Sequence, residues 1–438
     1  MRENSVIEII NVTLPQKNPP SLWGSWIDSP TKESQSIIHT IKVSGWALGK
    51  KEITTAIELS LGERVIKTIP VNEKRADVAQ LFPDIVNAEQ CGFSTTLGLI
   101  GLPLKGNLNC KAVLRDQTKV QIGVIEFIRK PLQSNYKPKL NPICLTTTGR
   151  SGSTWMMRLL SKHPQIVLCD NYPYEVRTAS YWTHMLKVLT QPADHEESTP
   201  IFGFEQQTQW IGHNPFYSMK HIENQQIFNW FGRGYAEQLA GFCQQTIDQF
   251  YQRVANSQSQ SNSEIMYFVE KWILTQNRQL FLEIYPQTRE IILVRDFRDM
   301  VASVIAFNQK RGYEAFGREK AENTEEYICN AAKTQALTMV KTWRQRAKQA
   351  YLVRYEDLLL NPLTTLEQLL NYLNLDNSSS TIKMMLETAS NDTSQLINHR
   401  TSFDPQASIG RWKHDLDPAI QSLCNEVFAE ALTEFGYV

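Results

Sequence analysis

The chain has 438 residues, of which 42% are hydrophobic and 21% charged, and its 45 basic side chains cancel its 45 acidic ones. That length exceeds one ordinary core and predicts two or three domains, while the zero net charge excludes a whole-molecule attraction to nucleic acid or to an anionic membrane. The seven cysteines are scattered and never spaced Cys-x-x-Cys, a pattern that predicts reduced thiols in a cytoplasmic protein and argues against a metal site such as zinc.

The opening stretch MRENSVIEIINVTLP carries neither a cationic lead nor a small-residue cleavage site. No apolar run reaches the roughly 18 residues that a membrane span needs, so neither a signal peptide nor a transmembrane segment is expected. Between residues 38 and 129 the pattern has period two: Ile57, Leu59 and Leu61 alternate with Glu58, Ser60 and Gly62, and Val120, Ile122 and Val124 alternate in the same way. This predicts a small all-β sandwich over residues 1–130. Within it Trp46 is expected to fill core, the alternative being to stack on a sugar ring, and Arg75 is expected to pair with Asp77. The polar stretch KPLQSNYKPKLNP, with Pro131, Pro138 and Pro142, predicts a linker over 131–141.

From residue 142 to 438 the character changes to α/β. An apolar run ICLTTT leads through a glycine turn into the helical run TWMMRLLSKH, closed by Pro164. The stretches REIILVRDFRDMVASVIAFNQ and AYLVRYEDLLLNPLTTLEQLLNYL repeat the order strand then helix. Such alternation predicts a parallel sheet flanked by helices, P-loop-like in its first unit. LTQPADHEESTP and NSQSQSNSE read as loops or flaps.

The chemistry concentrates in TTTGRSGSTWMMRLL, Thr146 to Leu160. A turn from a buried strand into a helix presents unpaired backbone N–H groups at the positive end of the helix dipole. Gly149 and Gly152 allow a sharp turn, Arg150 adds a forked permanent charge, and Ser151, Ser153 and Thr154 add hydroxyl donors. A nucleoside-triphosphate loop needs Gly-x-x-x-x-Gly-Lys-Ser/Thr. Here two residues separate the glycines and no lysine follows, so the loop suits a smaller anionic group. Arg295 at the end of a second strand, with Ser303 eight residues on in the next helix, converges on the same sheet edge and suits a second phosphate.

These motifs resemble the sulfotransferases that use 3′-phosphoadenosine 5′-phosphosulfate (PAPS). GRSGSTW resembles their 5′-phosphosulfate loop in its arginine form, similar to the carbohydrate and tyrosylprotein branches. LVRDFRDMVAS resembles their 3′-phosphate motif, and LVRYEDLLLNP and IGRWKHDL resemble two later segments in the right order. The resemblance covers residues 141–438 and not the first 130. It implies that Arg150, Ser151, Gly152, Ser153 and Thr154 hold the 5′-phosphosulfate, that Trp155 and Tyr355 border the adenine, and that Arg295 and Ser303 bind the 3′-phosphate. Arg411 is a further phosphate contact on this reading, with Lys413 the weaker alternative and Trp412 an anchor for its segment.

Sulfuryl transfer to a hydroxyl is an in-line displacement with a charged leaving phosphate, so the protein positions the partners, stabilises charge and supplies a base. The small-molecule branch carries a histidine two residues after a lysine. Here Lys271 fits the lysine, but Ile273 stands where the histidine would be. Lys271, like Arg150, is read as a cation for the transferring group; its alternative is an ion pair with Glu270 or another acid. The base is assigned to Glu175, partly buried beside the acceptor pocket, because Glu175 and Arg177 reproduce a Glu-x-Arg spacing of the tyrosylprotein and carbohydrate branches. His184 and His213 are held in reserve. The acceptor expected is a glycan, a glycolipid or another glycoconjugate, with a small-molecule or protein-tyrosine hydroxyl as alternative. A nucleotide-dependent kinase and a non-catalytic binding protein are the other readings left open.

Overall fold

The computed structural model describes residues 5–190, 223–258, 264–272, 278–390, 401 and 404–438. By compactness the chain forms two units, one made of residues 1–137, 182–243 and 279–284, the other of 138–181, 244–278 and 285–438. His213, Ile273 and most of LTQPADHEESTP lie outside the described residues, as does the middle of NSQSQSNSE.

The first unit is antiparallel. Its strands are β1 (Ile7–Thr13), β2 (Leu22–Ser29), β3 (Gln35–Ser36), β4 (Thr40–Gly49), β5 (Thr54–Leu61), β6 (Arg64–Pro70), β7 (Gly92–Gly98), β8 (Lys105–Leu114) and β9 (Lys119–Arg129). They form a six-stranded sheet, β3-β1-β9-β8-β5-β6, and a three-stranded sheet, β2-β4-β7. The period-two residues Ile57, Leu59, Ile122 and Ile125 from the larger sheet share one core with Val43, Phe93 and Leu97 from the smaller, which is the predicted sandwich. Glu58, on the polar side of the alternation, is taken up by Lys119 at 2.5 Å.

Trp46 is half-buried over Gly24, where a side chain would strike the indole, and tilts against Phe82. It therefore fills space. Arg75 forks onto Asp77 at 2.8 and 2.6 Å and reaches Asp28 at 2.6 Å, so the expected pairing forms. Arg129 and Glu283, both buried, pair with each other, and Glu283 also accepts the Leu132 N–H.

The second unit holds a parallel sheet of β10 (Asn141–Thr146), β11 (Ile166–Val167), β12 (Tyr267–Trp272), β13 (Arg289–Val294) and β14 (Ala350–Arg354), in the order β11-β12-β10-β13-β14. Every residue of β12 and five of six in β13 are buried, as expected of strands covered on both faces. The chain starts at β10, builds to one side and then to the other, so strand order reverses beside β10. That reversal opens a crevice at the carboxyl ends of the strands.

The three predicted strand-to-helix units are present. β10 leads to a helix at Ser153–Leu160, β13 to one at Phe297–Arg311, and β14 to two at Tyr355–Leu360 and Pro362–Leu373. The first helix ends at Leu160, short of Pro164. Beyond it the chain turns and His163 is fully buried, with Nε2 at 3.1 Å from the Asp376 carbonyl and Nδ1 accepting the Gln165 N–H. Among the described residues no helix is long and apolar enough to cross a membrane.

Candidate active site

The loop between β10 and the helix at Ser153–Leu160 turns through two left-handed residues, Arg150 at φ 62° and Gly152 at φ 91°. Glycine is required at 152 twice over: by that φ, and because a methyl group there would run into the Tyr355 ring. A left-handed non-glycine residue costs about 1 to 2 kcal/mol and overpacking about 1 to 3 more. Gly152→Ala therefore lowers the urea-unfolding free energy, and in a Tyr355→Ala background, which loses stability of its own, the added cost of Gly152→Ala shrinks to the backbone part. A Gly152→Ala midpoint equal to that of the parent chain would refute this.

Ser151 is buried and its hydroxyl is spent inside the loop, donating to the Thr148 carbonyl at 2.8 Å and meeting Thr147 Oγ1. Thr147 Oγ1 in turn donates to the Leu293 carbonyl of β13, which ties the loop to the neighbouring strand. Gly149 is covered by Phe316. Ser153, Thr154 and Trp155 are half-buried at the helix start, with Trp155 packed against the core below.

Arg150 lies with its guanidinium 4.2 Å above the Phe307 ring and its Nε donating to Ser303 Oγ at 3.1 Å. Arg295, 4% exposed at the end of β13, donates from Nη1 to the Arg150 carbonyl at 3.2 Å and from Nη2 to the Ser408 carbonyl at 2.6 Å. Its guanidinium stands 4.8 Å over Tyr355. The Arg295 Nε is buried with no partner among the described residues. Burial, and next the charge of Arg295, push Arg150 down to about 10. Two like charges are thus gathered in a half-dry crevice, a field that an anion relieves.

Tyr355 is 8% exposed, enclosed between Gly152 and Arg295, with its hydroxyl 3.4 Å from Ser408 Oγ. Arg411 is engaged by Asp415 at 2.7 Å and by Thr401 at 2.7 Å, while its charge still depresses Arg150. Lys413 lies 5.7 Å from the Trp412 ring and is exposed. Asp299 was not singled out by the sequence, yet it accepts the N–H groups of Gly410 at 2.7 Å and Trp412 at 3.0 Å. It anchors IGRWKHDL to the helix that carries Ser303, and Arg298 covers Trp412 at 4.2 Å.

Lys271, at the end of β12, is buried and donates to the Pro173 carbonyl at 2.6 Å and to Thr154 Oγ1 at 3.3 Å. Burial pushes it down to about 8, against the opposing pull of Glu175. Its acidic neighbour is Glu175, 3.9 Å away, and not Glu270. Consecutive strand residues face opposite ways, a signal available in the sequence. Glu175 also lies 3.8 Å from Arg177 and its side chain is 52% exposed, more open than the pocket-side burial expected of it. Glu270 is fully enclosed and accepts the N–H of Ala179 at 2.7 Å, the N–H of Ser180 at 3.2 Å and the Tyr251 hydroxyl. Burial pushes its carboxyl up to about 7 against those donors. His184 is half-buried and belongs to the other compact unit.

The second unit is thus α/β, a P-loop-like parallel sheet with an anion-receptive crevice at its carboxyl edge. The Sulfotransferase family model matches residues 142–379, more than half of the chain, and the chain belongs to that family. Among solved structures it is similar to the sulfotransferase domain of the curacin biosynthetic pathway at 14% identity, over 67% of this chain and 98% of that one, with a TM-score of 0.37. A mouse sulfotransferase complexed with PAP aligns at 12% identity over 68% of this chain and 87% of its own, TM-score 0.34. A retinol dehydratase in complex with androsterone and inactive cofactor PAP aligns at 10% identity over 87% and 97%, TM-score 0.37. No curated relative matches the chain.

Proposed function

We propose that the protein moves a sulfuryl group from PAPS to a hydroxyl of a carbohydrate or glycoconjugate. The observation that carries the donor assignment is Arg295: a buried guanidinium whose Nε has no partner among the described residues, beside the Arg150–Ser303 contact. An unmet buried donor costs free energy that a ligand phosphate recovers. The residues present fit such a donor, with Arg150 and the N–H groups of the loop around Gly152, Ser153 and Thr154 on the 5′ side and Arg295 and Ser303 on the 3′ side. PAPS supplies the activated sulfuryl group and a phosphate leaving group.

Lys271 and Arg150 place positive charge where the displacement develops negative charge, and Glu175 takes the acceptor proton. The glycan preference rests on the arginine form of the loop and on the Glu175–Arg177 spacing. On this reading the chain has a β-sandwich over 1–130, a linker over 131–141 and a transferase region over 142–438. The seven free cysteines support a cytoplasmic location.

Thermal shift with PAP, ATP and GTP tests the donor. Stabilisation by PAP beyond that by either triphosphate is expected, because the bisphosphate alone meets both anion subsites; stabilisation by ATP or GTP without PAP would sink the reading. Radiolabelled PAPS offered to p-nitrophenyl glycosides and to p-nitrophenol tests the acceptor, and transfer to the phenol alone would overturn the glycan preference.

The charge on Lys271 gives a pH test. Its folded value of about 8 lies below its ordinary 10.5, so the ammonium is present below pH 8 and lost above it in the free enzyme. Since kcat/KM reports the free enzyme, the kcat/KM for PAPS falls as pH rises through about 8. Lys271→Met removes that descending limb, and an unchanged limb in the variant would assign it to another group.

A further inference from the structure

We infer that Glu270 is a positioning residue for Glu175: its buried carboxylate pins the start of the helix at Thr178–Leu189, and so fixes where the peptide bearing Glu175 and Arg177 crosses the end of β12. The inference rests on reading Glu175 as the base. Glu270 and Lys271 are consecutive on β12 and face opposite sides of the sheet. Lys271 holds the Pro173 carbonyl at 2.6 Å on one side. Glu270 holds the Ala179 and Ser180 N–H groups at 2.7 and 3.2 Å on the other. One strand end therefore clamps both ends of the segment between Pro173 and Ser180, and Glu175 and Arg177 lie inside the clamp.

A purely structural need does not account for the choice of residue. The first N–H groups of a helix have no helical partners, and a carboxylate near them is favoured by the dipole, but an exposed Ser, Thr or Asp at the cap does this without burial. Burying a carboxylate carries a heavy desolvation cost and demands good hydrogen-bond geometry in return. Glu270 is 1% exposed, and its partners come from two elements, because Tyr251 donates from a helix at Tyr235–Ser257 while stacking on Phe268 at 4.4 Å. The charge of Arg177 also acts on Glu270 while its guanidinium lies 3.8 Å from Glu175. Glu270 thus shares the charge of Arg177 with Glu175, and its loss alters both the path and the charge around the base.

The test compares Glu270→Gln, Tyr251→Phe, Glu175→Gln and the Glu270→Gln/Glu175→Gln double variant in the full chain. Acceptor turnover is read with radiolabelled PAPS and the p-nitrophenyl glycoside that serves best, PAP affinity by calorimetry, and hydrogen exchange over residues 172–181. Misplacing a catalytic group by about 1 Å costs on the order of 10- to 100-fold, so Glu270→Gln lowers kcat by about that factor, raises exchange over 172–181 and leaves the PAP affinity unchanged. Tyr251→Phe, which keeps the ring stack, moves both readouts the same way by a smaller factor. The double variant is no slower than Glu175→Gln alone, since a positioning residue has nothing left to position. Multiplying losses, or a Glu270→Gln enzyme with full kcat beside a crippled Glu175→Gln, would overturn the role of Glu270 and leave the base standing. A fully active Glu175→Gln enzyme would remove the base, and this role with it.

Discussion

Arg295→Ala weakens PAP on the order of 100- to 1,000-fold, while the affinity for adenosine 5′-phosphosulfate, which lacks the 3′-phosphate, changes by no more than about threefold. The size follows from what is lost. Truncating one partner of a buried, hydrogen-bonded charge pair costs about 2 to 5 kcal/mol, and Arg295 is 4% exposed with its Nε unmet among the described residues. The comparison of two ligands is needed because Arg295 also props the protein, through the carbonyls of Arg150 and Ser408. If propping were its whole contribution, both nucleotides would suffer alike. Equal losses for the two, measured by calorimetry, would therefore remove the 3′-phosphate assignment. Arg295→Lys keeps the charge and loses the fork, and falls between the parent and the alanine variant.

Glu175→Gln loses about 100- to 10,000-fold in kcat, the usual contribution of a general base, with PAP affinity retained. Glutamine keeps the shape and the hydrogen-bonding reach but accepts no proton. The side chain stands 3.9 Å from Lys271 and 3.8 Å from Arg177, so the carboxylate is bracketed by cations without being locked in a short pair. That spacing leaves its oxygens available to an acceptor hydroxyl. Single-turnover measurement separates the chemical step from product release, and an unchanged single-turnover rate would show that the proton leaves by another route.

The three strand-to-helix units were legible because each pairs a short, mainly apolar run with a following helical period, and because Gly152 marks the turn in the first. The sandwich was legible from alternation at Ile57, Leu59 and Ile122. The first helix was read too long, since nothing local shows that His163 is drawn inward by Asp376. The partners of the site arginines were not legible at all. Phe307 beneath Arg150, Phe316 against Gly149 and the two N–H groups on Asp299 are contacts between segments far apart in sequence, set by how helices pack on the sheet. The alternative for Lys271 was an ion pair with Glu270 or another acid; alternation along the strand already separates it from Glu270, and the acid beside it is Glu175. Arg411 was read as a phosphate ligand from its motif; its hydrogen bonds to Asp415 and Thr401 depend on side-chain geometry that a motif does not carry.

The hydrogen bond from Arg295 to the Ser408 carbonyl spans 113 residues, and this separation has a consequence for biosynthesis. A ribosome that has just delivered Arg150, Arg295 and Ser303 has still to translate the backbone that steadies Arg295. At about 5 to 20 residues per second that interval lasts on the order of ten seconds. A chain that stops ahead of Ser408 lacks this anchor, and it also lacks Leu416, Ile420 and Phe428, which share one core with Val294 and Phe297, so Arg295 is steadied only when synthesis is nearly complete.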